Sequence, residues 1–99
     1  MYKEINSLEL NEILRRNNNI NLIDIRDSYS YISGSIANAK NIPSSYLISN
    51  PDKYLDKNKD YYLFCNYGST SRRLCQYLTR LGYQVINITD GYKGYKDSI

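Results

Sequence analysis

The 99 residues, 41% of them hydrophobic, provide for one domain and exclude a second independent core. Thirteen lysines and arginines against ten acidic residues leave a net charge of +3 with no basic stripe to track phosphates, so nucleic acid is not the expected partner. Histidine is absent, which removes Ser-His-Asp and Cys-His nucleophile pairs and the usual zinc sites.

Two cysteines, Cys65 and Cys75, are too few for a disulfide scaffold, and no apolar run has the length of a signal or membrane-spanning segment. The sequence therefore reads as a cytoplasmic chain with free thiols, needing no cofactor and no membrane. The twelve tyrosines carry no functional reading of their own; each suits a core body with a polar tip or a rim position.

Short apolar runs alternate with amphipathic segments along residues 1–99, a single βα series. Tyr2 to Ile5 is a first strand. Asn6 then caps a helix, with Glu9 three residues on completing a capping box and Leu10, Ile13 and Leu14 forming the apolar stripe. The helix ends in Asn17-Asn18-Asn19, after Arg15 and Arg16. Ile20 to Ile25 reads as a buried strand, Ser28 to Ser33 as a helical turn stopped by Gly34, and Ala39 to Ile42 as an extended segment ended by Pro43. Between Ser44 and Lys57 one or two short helices break near Pro51.

Tyr61 to Phe64 is the next strand, leading into Cys65 and the stretch Asn66-Tyr67-Gly68-Ser69-Thr70. A helix from about Ser71 to Leu81 follows, capped by Ser71 or Thr70 and closed by Gly82. Val85 to Ile88 is the last strand, and Gly91 to Ile99 a terminal helix. Strands joined by helical crossovers make a parallel sheet with helices on both faces, whose ligand site lies beyond the strand carboxyl ends. Cys65 falls there.

A thiol is a nucleophile only as thiolate, which a helix amino terminus, nearby cations and converging backbone amides favour. Residues 66 to 70 suit a tight curl whose N–H groups point at one anion, and Arg72 and Arg73 stand in the first helical turn, where at least one can face the loop mouth. The chemistry open to such a site uses sulfur itself: the thiolate takes a weakly bonded sulfur from a donor, holds it as a persulfide and yields it to a second nucleophile. No histidine is required, because the attacking group is already ionised.

Three stretches resemble the single-domain rhodaneses, or thiosulfate sulfurtransferases. The first is Leu22-Ile23-Asp24-Ile25-Arg26-Asp27 with Tyr31, Gly34-Ser35-Ile36, Ala39 and Asn41-Ile42-Pro43. The second is Cys65-Asn66-Tyr67-Gly68-Ser69-Thr70-Ser71, similar to the active-site loop of that family. The third is Leu81-Gly82-Tyr83-Gln84-Val85 with Asp90-Gly91-Tyr92 and Gly94. The chain departs from the family at Ser28, Ser30 and Ser35, where proline, an acidic residue and histidine are frequent, and at Thr70, where many relatives carry arginine.

What the resemblance implies is an α/β, rhodanese-like fold with a five-stranded parallel sheet flanked by helices on both faces. It implies Cys65 as the persulfide carrier, cradled by the loop amides of residues 66 to 70. Substrate contacts are expected from Asn66, Tyr67, Gly68, Ser69, Thr70, Ser71 and Arg72. Thiosulfate or another sulfane-sulfur donor, and cyanide or a thiol or protein acceptor, are the expected partners.

Other readings stand beside these. Phosphatases and arsenate reductases of similar fold place an arginine six residues after the cysteine, which here is Ser71, with Arg72 one residue late. A rhodanese-like module that relays persulfide between proteins, or binds a partner without catalysis, is the remaining alternative. Cys75 shares an inward stripe with Leu74, Leu78 and Leu81 and reads as core. Asp24 and Arg26 read as a structural tie at a strand end, Asp90-Gly91 as a turn, and Lys53, Lys57 and Lys59 as solvated surface.

Overall fold

The apolar runs become five strands in the computed structural model, which describes residues 2–98. They are β1 (Lys3–Ile5), β2 (Leu22–Asp24), β3 (Lys40–Asn41), β4 (Asp60–Phe64) and β5 (Gln84–Ile88), in the spatial order β1-β5-β4-β2-β3. Every neighbouring pair is parallel. The connections carry α1 (Ser7–Arg16), α2 (Ser28–Ser33), α3 (Ser44–Ser49) and α4 (Ser69–Arg80), and α5 (Gly91–Ser98) closes the chain. The helix foreseen from Gly91 is thus present to Ser98, with Ile99 outside the described residues.

Period-two alternation sorts the core-forming strand residues between two cores. Ile23, Ile25, Leu63, Cys65 and Val85 pack with Leu47 of α3 and with Leu74, Cys75 and Leu78 of α4. Leu22, Phe64 and Ile88 pack with Leu10 of α1 and with Ile36 and Ala39, and Tyr92 and Tyr95 of α5 lean on that cluster. Leu63 and Leu78 are wholly buried, and burial of such a side chain contributes about 1.5–3 kcal/mol.

Local signals end most elements where expected. Asn6 and Glu9 form the reciprocal capping box of α1, Asn6 Oδ1 accepting the Glu9 N–H at 2.9 Å and Glu9 Oε1 the Asn6 N–H at 3.0 Å. Gly82, at φ 97°, donates to the Thr79 carbonyl while Tyr83 N–H reaches back to that of Leu78, so a left-handed residue terminates α4. The segment after Pro43 holds α3 and then a 3-10 turn at Pro51–Lys53. The strand foreseen over Ile20 to Ile25 contracts to Leu22–Asp24, although Ile25 N–H still donates to the Phe64 carbonyl at 3.0 Å.

Helix α4 is the informative difference. It begins at Ser69, not Ser71, with Gly68 at the cap position in a left-handed conformation, and no side chain of the cap residue bonds the first turn. The third N–H of the helix, that of Ser71, points instead at Cys65 Sγ, 3.4 Å away. Neither Ser71 nor Thr70 is the cap; the sulfur occupies the place a capping oxygen would take.

Candidate active site

Central strand β4 delivers Cys65 to the carboxyl edge of the sheet, where the chain turns through residues 66–68 into α4. Cys65 is 6% exposed. Its Sγ accepts the Gly68 N–H at 3.2 Å as well as that of Ser71, and lies 3.3 Å from Ser71 Oγ. Burial by itself pushes the thiol up; the Ser71 hydroxyl and the N–H groups of Ser71, Gly68 and Tyr67 outweigh it, and the thiol is held below its ordinary value. The sulfur is therefore biased toward thiolate by donors built from the backbone.

The amides point inward because α5 holds the carbonyls outward. Tyr92 N–H donates to the Cys65 carbonyl at 2.8 Å and Lys93 N–H to that of Asn66 at 3.0 Å. In a trans peptide the N–H lies opposite the C=O, so the amides of Asn66 and Tyr67 turn to the other side. This contact requires Gly91 at φ 62°, where a Cβ would sit 2.6 Å from the Cys65 carbonyl oxygen and 2.5 Å from that of Asn66. Gly68 is under a similar constraint, as a Cβ there would lie 1.9 Å from the Thr89 carbonyl oxygen.

Beneath the loop is a buried polar network. Ser71 and Asn87 are both 0% exposed. Ser71 Oγ lies 2.5 Å from Asn87 Oδ1 and 3.2 Å from the Gly68 carbonyl, so its one proton is shared between these acceptors and Cys65 Sγ. Asn87 Nδ2 donates to Glu4 Oε2 at 3.0 Å and to the Gly68 carbonyl at 3.3 Å. Hydrogen bonding from Asn87, ahead of burial, sets the Glu4 carboxyl below its usual range. The amide is thus oriented by acceptors on its nitrogen side, and it fixes the hydroxyl beside the sulfur.

The front wall is built on Asp24, which is wholly buried and paired with Arg26 at 2.7 Å. Arg26 also donates to Asn66 Oδ1 at 3.1 Å and to the Gly34 carbonyl at 2.6 Å, and its guanidinium lies 4.5 Å from the Tyr92 ring centroid. Ser35 Oγ adds a bond to Asp24 at 2.8 Å. The pair ties β2, the turn after α2, the loop and α5 together, with its charge internally compensated. Asp90, read as a turn residue, also accepts both the N–H (2.9 Å) and the hydroxyl (2.6 Å) of Ser7, pinning α1 to α5.

Of the residues singled out from the sequence, Cys65, Asn66, Tyr67, Ser69 and Thr70 line one cleft with Ile25, Arg26, Asp27 and Ser44. Gly68 and Ser71 lie behind it, against the sulfur. Arg72 is not in the cleft: its Nε meets Glu4 Oε2 at 3.4 Å on the β1 side. Helical pitch explains the difference, since residues one apart in α4 diverge by about 100° and the inward direction belongs to Ser71. Cys75 is wholly buried, and burial pushes its thiol up to about 12, so it stays protonated.

Sequence reasoning did not single out Asn87 and Glu4. The available signal was Asn87 itself, a polar residue between Ile86 and Ile88 in a strand covered on both faces, where a side-chain amide must have partners.

The Rhodanese-like domain family model matches residues 7–98, and the chain belongs to that family. It is 32% identical to the thiosulfate sulfurtransferase GlpE of Coxiella burnetii (strain RSA 493 / Nine Mile phase I) over 97 residues, covering 97% of this chain and 89% of the relative. A sulfurtransferase of Allochromatium vinosum is 32% identical over 92 residues, covering 92% and 85%.

Among solved structures, SSP1007 of Staphylococcus saprophyticus superposes with a TM-score of 0.87 at 29% identity over 94% of this chain and 92% of that one. A rhodanese-related protein of Thermoplasma volcanium gives 0.85 at 30% identity over 98% and 93%. The five-stranded parallel sheet with its helices is the rhodanese-like fold, and the family is one of sulfurtransferases. Among the described residues no helix is long and apolar enough to cross a membrane.

Proposed function

We propose that this protein is a sulfurtransferase that carries sulfane sulfur on Cys65 from thiosulfate, or a related donor, to cyanide or to a thiol or protein acceptor. The observation that supports it is the sulfur at the head of α4, receiving two backbone N–H groups and held toward thiolate. The thiolate attacks the outer sulfur of thiosulfate; the new S–S bond forms as the S–S bond of the donor breaks, and sulfite leaves with the electron pair. The negative outer sulfur of the persulfide then lies at the N-terminal end of a 12-residue helix, whose first amides have no intrahelical partner. Attack by cyanide on that sulfur breaks its bond to Sγ, releases thiocyanate and restores the thiolate. Asn66, Tyr67, Ser69 and Thr70 are the cleft residues placed to contact donor and acceptor, with Gly68 and Ser71 serving the sulfur from behind.

Against phosphate or arsenate chemistry, the sixth residue after the cysteine is the buried Ser71 and the neighbouring Arg72 faces Glu4, so neither closes a guanidinium over the loop. The test is the intact mass of reduced protein after thiosulfate treatment. A gain of one sulfur atom on wild type and on Cys75→Ser, absent from Cys65→Ser and discharged by cyanide as thiocyanate, is the expected result. No gain on folded protein with an accessible, reduced Cys65 refutes thiosulfate as donor, and a gain on Cys65→Ser refutes the assignment of the carrier.

A further inference from the structure

The cleft over Cys65 continues past the loop. Ser44, at the start of α3, and Thr70, in the first turn of α4, line both the cleft and a second depression walled by Ile48, Arg73, Leu74 and Tyr77. Ile48 is 52% exposed on this seam, and Tyr67 at the cleft rim is 71% exposed. Apolar side chains left open beside a nucleophile, with an arginine at the edge, have the composition of the energetic centre of an interface.

The charges differ in kind around the site. Arg26 is consumed by Asp24 and Arg72 by Glu4. Arg73 has no carboxylate within ion-pair distance among the described residues. Neither Ile48 nor Arg73 lines the cleft that holds Cys65, so a molecule as small as thiosulfate or cyanide can meet the sulfur without the second depression.

We propose that the groove between α3 and α4 is the docking subsite for a protein acceptor, a cysteine-bearing segment with an apolar side chain that fills the space at Ile48 and Tyr77 and an acidic one that meets Arg73. The inference rests on the Cys65 persulfide reading. The acceptor thiolate attacks the outer sulfur of the Cys65 persulfide; a bond forms between the two sulfurs, the bond to Sγ breaks with its electron pair returning to Cys65, and the acceptor leaves as a persulfide. No oxidant or reductant enters. Continuity with the cleft and the unpaired guanidinium together favour an acidic, partly apolar protein thiol over a small one.

Two synthetic peptides test this, acetyl-Leu-Cys-Asp-Glu-amide and acetyl-Ser-Cys-Lys-Lys-amide, with wild type, Arg73→Glu and Ile48→Asp, both exposed positions. Persulfide-loaded protein is discharged by each peptide and by cyanide. The acidic peptide is expected to react about 10-fold faster than the basic one with wild type, and Arg73→Glu to remove or invert that preference while cyanide discharge stays unchanged. Ile48→Asp should slow the acidic peptide alone.

Peptide-induced NMR shifts, which need no persulfide, should centre on Ile48, Arg73 and Tyr77 with the serine analogue of the acidic peptide. Equal rates for the two peptides, or shifts lying elsewhere, overturn the docking site while persulfide formation and cyanide discharge stand. Failure to load sulfur overturns the persulfide reading and leaves the NMR map to decide the groove.

Discussion

Replacing Gly68 by alanine tests how the loop makes its sulfur acidic. A Cβ at this position would lie 1.9 Å from the Thr89 carbonyl oxygen and 2.6 Å from its carbon, both rigid backbone, so the loop and the end of β5 must part by about 1 Å. The φ of 97° adds a conformational cost of about 1–2 kcal/mol, and the overpacking about 1–3 kcal/mol more. The same displacement lengthens the Gly68 N–H contact to Sγ, now 3.2 Å. A hydrogen bond to an ionised group contributes about 1.5–3 kcal/mol, so its loss disfavours the thiolate and raises the thiol.

The assay is the pH dependence of Cys65 alkylation by iodoacetamide at low temperature, with circular dichroism to confirm folding. The midpoint should rise in Gly68→Ala, because one of the donors that lower it is withdrawn. Gly82→Ala is the matched control. It has the same φ of 97° but only the Lys57 side chain near its Cβ, at 3.7 Å, so it should lose about 1–2 kcal/mol of stability and leave the Cys65 midpoint in place. A folded Gly68→Ala with the wild-type midpoint would refute the claim that the Gly68 amide sets the acidity of Cys65.

Two further outcomes follow from burial. Arg26→Ala strands the wholly buried Asp24 carboxylate and should cost about 3–5 kcal/mol in urea denaturation, whereas Arg72→Ala, losing a pair with side chains 50% and 34% exposed, should cost about 0–1 kcal/mol; equal losses would contradict the role given to Arg26. Cys75 has its folded pKa raised to about 12, above an unfolded value of about 8.5. The unfolded chain then loses that proton first, so stability contributed by the buried thiol falls as pH rises from the unfolded value toward 12, by at most about 1.4 kcal/mol per pH unit. Cys75→Ala should flatten the alkaline decline between pH 9 and 11, and parallel stability curves for the two proteins would show that Cys75 does not contribute to it.

The elements legible in the sequence were those with local causes. Asn6 with Glu9, Pro43, Pro51 and Gly82 act within a turn or two of themselves, and the structure places helix ends beside each. The alternation of apolar runs with amphipathic segments demanded parallel strands with covered faces, and this alone put Cys65 at a carboxyl edge. Cys75 was legible for the same reason, since helical spacing with Leu74 and Leu78 requires an inward face.

Long-range partners decided the remainder. Helix α4 starts two residues early because a sulfur from β4 takes its Ser71 N–H, a cap no local pattern encodes. Arg72 turns to Glu4 because β1 lies beside β5 at the sheet edge, a neighbour set by strand order and not by chain order. Ser71 stands between Cys65 and Asn87, and Asn87 between Ser71 and Glu4, residues brought together only once the sheet closes over them. The sequence by itself determined the position of Cys65 beyond a strand end and the frame that presents it, since both depend on residue type and short-range periodicity. The direction of every amide and side chain around that sulfur was decided by tertiary structure, because each is held by a partner distant along the chain.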